Sequence, residues 1–426
     1  MIPTRSSRLK GSVVSSTWQR LHKGYLGRMF ISVSLMLVIV VFAGAVLALQ
    51  KLFPIYATSA TSATLGLNLK KDAQALMGIS HNGAITTING LNTISQVGST
   101  AKVLDANGNP AMVDPNPYKI AIAPSNLSPN LKAGDILVSN IGNQDHGTTL
   151  VKFSAQGGTG QVFNTQTDGV LGPAGLAFDG GMVLVANSTG SNVLVFRPNG
   201  TLFTTMQDPL FNGPWGITVW GGTHSSSSKM ISFFTANKFD AKILRVDVMP
   251  QGNDVPKFHV TQIGQFTPNG TLTKIDLRWL PLLKIGTSTL QDVLLAIDPA
   301  NNRIAAFDHS SMLQGMGNGM TVFQGMPLNM PGGLAINPFN DDLLVVNLMN
   351  NNLVELDLKA GNVVGVKQID PAMVDNQGNG SALFGVVGVK DHQGNLRVFF
   401  TDDNTNTLDV LSTPSDKSNI LDALAS

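Results

Sequence analysis

Six oxygen-bearing side chains recur at one kind of place in this chain. Asn140, Asn187, Asn237, Asp298, Asn347 and Asp402 each end an apolar run (ILVSN, MVLVAN, FFTAN, LLAID, LVVN and VFFTD), at spacings of 47, 50, 61, 49 and 55 residues. Two chemistries are open to such a set. An amide or carboxylate at the end of a strand hydrogen-bonds the turn that follows. Alternatively, six of them in one register ring a common mouth and contact a polar ligand there, Asp298 and Asp402 adding negative charge. Trp215, beside an inner-strand opening, lines that mouth or packs beneath it; if exposed, its ring suits a sugar or an apolar side chain of a partner. His146 lies in a polar insertion, GNQDHGTT, and either faces the mouth or is simply solvated.

The elements that must position these residues follow from the same repeat. In five of the six copies a branched apolar residue returns six positions after the Asn or Asp, at Val193, Ile243, Ile304, Leu353 and Leu408; the first copy reaches Leu150 only after ten. A unit of this length, with paired strands and a polar turn, marks a radial array. Around Asn187, the runs GLAF, MVLVA, NVLVF and TLFTT predict four antiparallel strands, so six copies predict a six-bladed β-propeller.

Inner strands open on GPAGLAF at 172, GPWGITV at 213, PGGLAI at 331 and FGVVGV at 384, with PYKIAIA at 117 as a variant. Gly is expected there because the inner strands converge on the axis, where side-chain room is least. The fourth blade lacks the phrase, and RWLPLLKIG at 278–286 is its substitute. The last copy shows only three clear strands. One of the runs AITTI, TISQV and AKVLD must close the ring, with Thr100 to Leu104 the expected strand, burying an otherwise open edge.

Composition agrees with strands. Of the 27 acidic residues only Glu355 is Glu, Gly is abundant, and there is no Cys to form a disulfide or a thiolate metal site. Positive charge is concentrated at the start: residues 1–51 hold seven Lys and Arg and no acid, leaving the rest with 21 basic against 27 acidic residues. A nucleic-acid binder places its positive charge on the folded domain. That class is excluded.

Residues 29–49, MFISVSLMLVIVVFAGAVLAL, carry no charge over 21 positions, enough to span roughly 30 Å of hydrocarbon as a helix. Six basic residues, Trp18 and Tyr25 precede it, which predicts a cytoplasmic amino terminus. The stretch is long for the apolar core of a cleaved signal peptide, the rival reading. The expected organisation is a basic tail (1–28), a signal-anchor helix (29–49), a Ser/Thr/Ala-rich linker (50–82), the propeller (83–412) and a polar tail (413–426). The propeller then sits in the periplasm or extracellular space, on a single-pass inner-membrane anchor.

Over about residues 100–412 these motifs resemble NHL-type repeats and the wider six-bladed group that includes gluconolactonase-like and paraoxonase-like enzymes. That resemblance implies a divalent cation, typically Ca²⁺, at the channel mouth, polarising a lactone carbonyl. Asp298 matches the second-strand Asp of its ligand set. The Asn positions that precede the inner-strand Gly are filled here by Ala174, Trp215 and Gly332, and the single Glu falls in the fifth blade. The motifs of metalloproteases, EF-hands, serine hydrolases and P-loops are absent. Five Met residues between 312 and 330 offer thioethers for Cu(I), or fill irregular gaps in the packing. The reading is a membrane-anchored binding or scaffolding module with no cofactor expected, its partner a protein or small molecule at one rim. The alternative is a divalent-metal lactonase or esterase with altered ligands, for which Ca²⁺ is the metal.

Overall fold

The structure is a computed structural model that describes residues 84–413, apart from 156, 166–167, 180, 222–229, 252–253, 269–272, 316 and 392. The expected anchor at 29–49, the tail 1–28, the linker 50–82 and all of the carboxy-terminal tail but Thr413 lie outside these residues. No helix among those described is long and apolar enough to cross a membrane.

Among the described residues, twenty-six strands form six sheets. β1 (Thr93–Ser99), β2 (Val103–Leu104) and β3 (Pro110–Ala111) precede the first full blade. That blade holds β4 (Pro117–Ile122), β5 (Ile136–Asn140), β6 (Thr149–Phe153) and β7 (Gln161–Val162), and β2 and β3 extend its outer edge. Blade two is β8 (Pro173–Asp179), β9 (Met182–Asn187), β10 (Asn192–Phe196) and β11 (Leu202–Met206). Blade three is β12 (Pro214–Trp220), β13 (Ile231–Asn237), β14 (Lys242–Gln251) and β15 (Asp254–Gln265). Blade four is β16 (Leu277–Ile285), β17 (Ser288–Asp298), β18 (Arg303–Phe307) and β19 (Met320–Gln324); a short helix, α1 (His309–Gln314), links its last two strands. Blade five is β20 (Pro331–Ile336), β21 (Leu343–Asn347), β22 (Asn352–Asp357) and β23 (Asn362–Gln368). Blade six is β24 (Leu383–Lys390), β25 (Leu396–Asp402) and β26 (Thr407–Ser412). The inner strands β4, β8, β12, β16, β20 and β24 adjoin in that order, and β24 returns to β4. The ring is closed, and the chain is an all-β six-bladed propeller.

Each sheet is apolar on both faces because it is sandwiched between neighbours. Six apolar clusters result, one for every adjacent pair of blades. Phe196, Phe233, Phe307 and Phe399 anchor four different interfaces and are almost wholly buried. Truncating such a ring to Ala costs about 3–5 kcal/mol.

The closing strand differs from the expectation. β1, not Thr100 to Leu104, pairs antiparallel with β26, from Thr93 opposite Ser412 to Ser99 opposite Thr407. TISQVGS covers the whole six-residue edge of β26, its extra residue taken up by a bulge between Gln96 and Gly98. Val103 and Leu104 instead pair with β3 and β7, ahead of the tight turn that the Asp105 side chain holds by accepting from the backbone N–H of Asn107 and Asn109. The fourth inner strand lies at RWLPLLKI, as the substitute phrase predicts. The inner-strand glycines answer a steric demand. A methyl at Gly175 would collide with the carbonyl oxygen of Trp215 on the next inner strand, and one at Gly333 with that of Phe384.

Glu355 anchors the segment that leads into β1. Its Oε2 accepts from the Ile88 N–H at 2.8 Å and its Oε1 from Asn337 Nδ2 at 2.6 Å. Burial raises its pKa despite these bonds. The single Glu of the chain is committed to holding blade five to the ring-closing segment.

Candidate functional site

The six recurrent Asn and Asp side chains turn into the protein. Asn187 Oδ1 accepts from Leu171 N at 2.6 Å and its Nδ2 donates to Gly169 O and to Asn192 Oδ1. Asn140 donates to Thr100 O and Asp114 O, Asn237 to Leu210 O, and Asn347 to Pro327 O while accepting from Asn329 N. Each of these amides pins the crossover that enters its own blade, and all four Asn are fully buried. Asp298 is paired with Arg303 at 3.0 Å, and Asp402 Oδ1 accepts from Thr405 N at 3.1 Å. Their bonding is therefore that of turn and crossover latches, not of a ring of ligand contacts.

The mouth lies instead just past these strand ends. Of the residues that follow them, Ile141, Lys238 and Leu348 are placed there. Ile141 and Leu348 join Tyr118, Ala174, Trp215 and Phe384 in a seventh apolar cluster, built from the openings of the inner strands. Trp215 Nε1 donates to Tyr118 Oη at 2.8 Å, with ring centroids 4.9 Å apart and nearly perpendicular. Tyr118 stacks on Phe384 at 4.6 Å. Burial raises the Tyr118 pKa well above its ordinary value, so the phenol stays neutral. Trp215 is 1% exposed and forms the floor of the mouth rather than a free platform.

Two lysines stand on that floor. Lys274 places its ammonium 4.5 Å from the Phe384 centroid, 5.8 Å from Tyr118 and 5.9 Å from Trp215. Lys238 stands 4.7 Å from the Trp215 centroid and is ion-paired to Asp145. Lys274 makes no hydrogen bond or ion pair with any described residue. Burial brings its pKa down from 10.5 to about 8, against the pull of Asp145. Burial likewise raises Asp403 to about 6, although the Lys274 charge opposes that. A pocket of about 370 Å³ lies over this pair of cations, lined also by Gln144, Asp145, Gln377 and Ser381. The Ser381 hydroxyl, which lines the pocket, is buried with no hydrogen-bond partner among the described residues. Cations and an unmet hydroxyl above an aromatic floor describe a site for a small polar anion.

The inserted turn of blade one supplies part of the wall. Gln144 and Asp145 both have positive φ, 54° and 59°, a conformation that costs non-glycine residues energy and gathers at functional sites. Thr189 Oγ1 donates to Asp145 O at 2.5 Å and fixes the turn over blade two. His146, from the same turn, is exposed and does not line the pocket.

Beneath the aromatic floor the axis is bridged. Lys119 and Asp276 occupy the positions that are Gly175, Gly216, Gly333 and Gly385 in the other inner strands. The four glycines leave room for these two side chains, from opposite blades, to form a buried ion pair. Asp276 Oδ2 also accepts from Leu334 N at 2.8 Å.

This donor set does not fit a hard divalent cation. Asp298 is neutralised by Arg303, Asp276 by Lys119, and Glu355 is buried in blade five. Among the described residues no three His, Cys, Asp or Glu side chains gather closely enough to hold a metal ion. Of the Met-rich stretch, Met312 is fully buried while Met320 and Met326 are exposed, so these three do not share one environment.

The sequence reading missed Lys274, Lys238, Asp403 and Asp145. The signal for the first was available: in the inner-strand phrase its place is held by Pro117, Pro173, Pro214 and Pro331. A Lys in a proline column of the only blade without the phrase marks a departure from the scaffold.

No family model and no curated protein matches the chain. Among solved structures, a putative gluconolactonase is 9% identical with a TM-score of 0.46, over 75% of this chain and 92% of that one. A catalytically inactive virginiamycin B lyase from Staphylococcus aureus with quinupristin is 13% identical with a TM-score of 0.44, over 77% and 90%. A chain of a nidogen/laminin complex is 13% identical with a TM-score of 0.40, over 66% and 86%. The first of these neighbours is of the gluconolactonase-like kind that the repeats resemble. No site residue is carried over from them, and the architecture rests on the strand pairing above.

Proposed function

We propose that this chain is a ligand-binding propeller whose mouth pocket takes a small organic carboxylate, anchored by residues 29–49 with the propeller outside the cytoplasm. The observation that carries the ligand class is Lys274, a cation with no hydrogen bond or ion pair among the described residues, held in a pocket whose other polar side chains are Gln, Ser and an already paired Lys–Asp. Such a cation is stabilised when an anion completes its hydrogen bonding. Gln144, Gln377 and Ser381 supply orientation by hydrogen bonding to the rest of the ligand. The aromatic floor is rigid, so the site is largely formed before the ligand arrives. Anchoring is supported by the 21 uncharged residues at 29–49 and by the basic leader before them.

Calorimetric titration of the full-length chain with a panel of small hydroxy- and keto-carboxylates tests the ligand class. At least one acid should bind with unit stoichiometry. Lys274→Met should weaken it about tenfold or more, the range of a charged hydrogen bond. Affinity should fade as pH rises through about 8, where Lys274 loses its proton. A panel in which nothing binds, or a variant that binds as the wild type does, refutes the assignment.

A further inference from the structure

Below the Lys119–Asp276 bridge the inner strands enclose a second cavity of about 540 Å³, which shares no lining residue with the mouth pocket. One level inside the bridge, successive blades contribute Ala121, Ala177, Thr218, Arg278, Ala335 and Val387. Five of these are small or apolar, and they leave space for the sixth. Farther along the axis the wall is apolar, with Leu280 and Ile336 among its residues. Arg278 makes no hydrogen bond or ion pair with any described residue. Its side chain has a large accessible area, yet protein surrounds it and lowers its pKa by burial. Both facts hold for a group that projects into an internal channel. The nearest opposite charge, Asp276, is already taken by Lys119 and by the Leu334 N–H.

A guanidinium set in an apolar channel without an anion is an incomplete pair, because a desolvated charge is stabilised only by a counter-charge that also meets its hydrogen bonds. We infer that this channel is a second binding site, for a single-chain amphipathic anion whose carboxylate pairs with Arg278 and whose alkyl tail lies along the Leu280 and Ile336 wall. Guanidinium binds carboxylate through two parallel hydrogen bonds, which lysine does not reproduce. The cavity is of the size that encloses a small ligand. The bridge separates this occupant from the one at the mouth.

Octanoate is the probe, titrated calorimetrically into the full-length chain in lipid nanodiscs, with empty discs as the blank and octyltrimethylammonium as the control of equal tail and opposite charge. Octanoate should bind saturably and the cation should not. Arg278→Leu should weaken octanoate about tenfold or more, and Arg278→Lys, which keeps the charge and loses the fork, severalfold. Lys274→Met removes the cation of the mouth and should leave the Arg278-dependent octanoate site in place, so failure of the mouth assignment and failure of this one are separately visible. The inference is overturned if octanoate does not bind, if the cation binds as well, if Arg278→Lys binds as the wild type does, or if Lys274→Met abolishes binding.

Discussion

Replacing Lys274 by Met should make the protein more stable at neutral pH while removing its ligand. The side chain keeps its length and its packing on the rings, and only the ammonium is lost. In the folded state that ammonium has a pKa of about 8 against an ordinary 10.5. At ~1.4 kcal/mol for each tenfold change in proton affinity, holding the charge at pH 7 costs on the order of 3 kcal/mol. Attraction to the three rings returns about 0.5–2 kcal/mol. The net expectation is a gain of roughly 1–2 kcal/mol for Lys274→Met, a rise of a few degrees in Tm for a domain of this size. The sign has a pH signature. A base whose folded pKa is lowered destabilises the fold below that pKa, and the penalty disappears once the unfolded chain also loses its proton. The difference between variant and wild type should therefore be full at pH 7, shrink above pH 8 and vanish near 10.5. Thermal unfolding of the full-length chain, followed by tryptophan fluorescence at several pH values, measures it. A variant less stable than the wild type by more than about 1 kcal/mol at pH 7, or a difference independent of pH, would refute the reasoning. Either result would mean that the ammonium is satisfied within the fold.

Two further outcomes follow from the same structure. Asp276→Leu leaves the Lys119 ammonium buried without its partner and should cost about 3–5 kcal/mol, whereas Lys119→Met with Asp276→Leu should recover most of that loss; urea unfolding of both variants checks this, and equal destabilisation of single and double variants would contradict it. Burial raises Asp342 to about 7 and Asp179, Asp403 and Asp409 to about 6, so the folded state holds protons that the unfolded chain has released. Their contribution is full below about 3.8 and is lost as pH rises through 6 and 7, so Tm should be higher at pH 5 than at pH 8; a flat or rising profile would count against these environments.

Much of the architecture is written in the repeat itself. An apolar run that stops at Asn140, Asn187, Asn237, Asp298, Asn347 or Asp402 and resumes soon after defines a hairpin. Six such hairpins at blade-length spacing define a closed ring, since strands apolar on both faces and glycines whose methyl would collide, as at Gly175 or Gly333, are local consequences of residue type. Blade number, the four strands of a blade and the substitute strand of blade four were legible for that reason, whereas the extension of blade one by β2 and β3 was not. The ring-closing strand was not, because TISQV and AKVLD have similar local character and only the length and register of β26 choose between them.

The site was decided by tertiary structure. Conspicuous residues of the repeat proved to be bonded within their own blades, while Lys238, one step past Asn237, lines the mouth pocket. Lys274, Tyr118, Trp215 and Phe384 come from four blades and acquire meaning only where the inner strands converge. The same convergence sets Lys119 against Asp276 across a gap left by glycines, and Arg278 among small side chains. Sequence periodicity reports what each blade needs from its own strands. It carries no record of which side chains from separate blades meet at the axis, because that depends on blade number, twist and closure acting together.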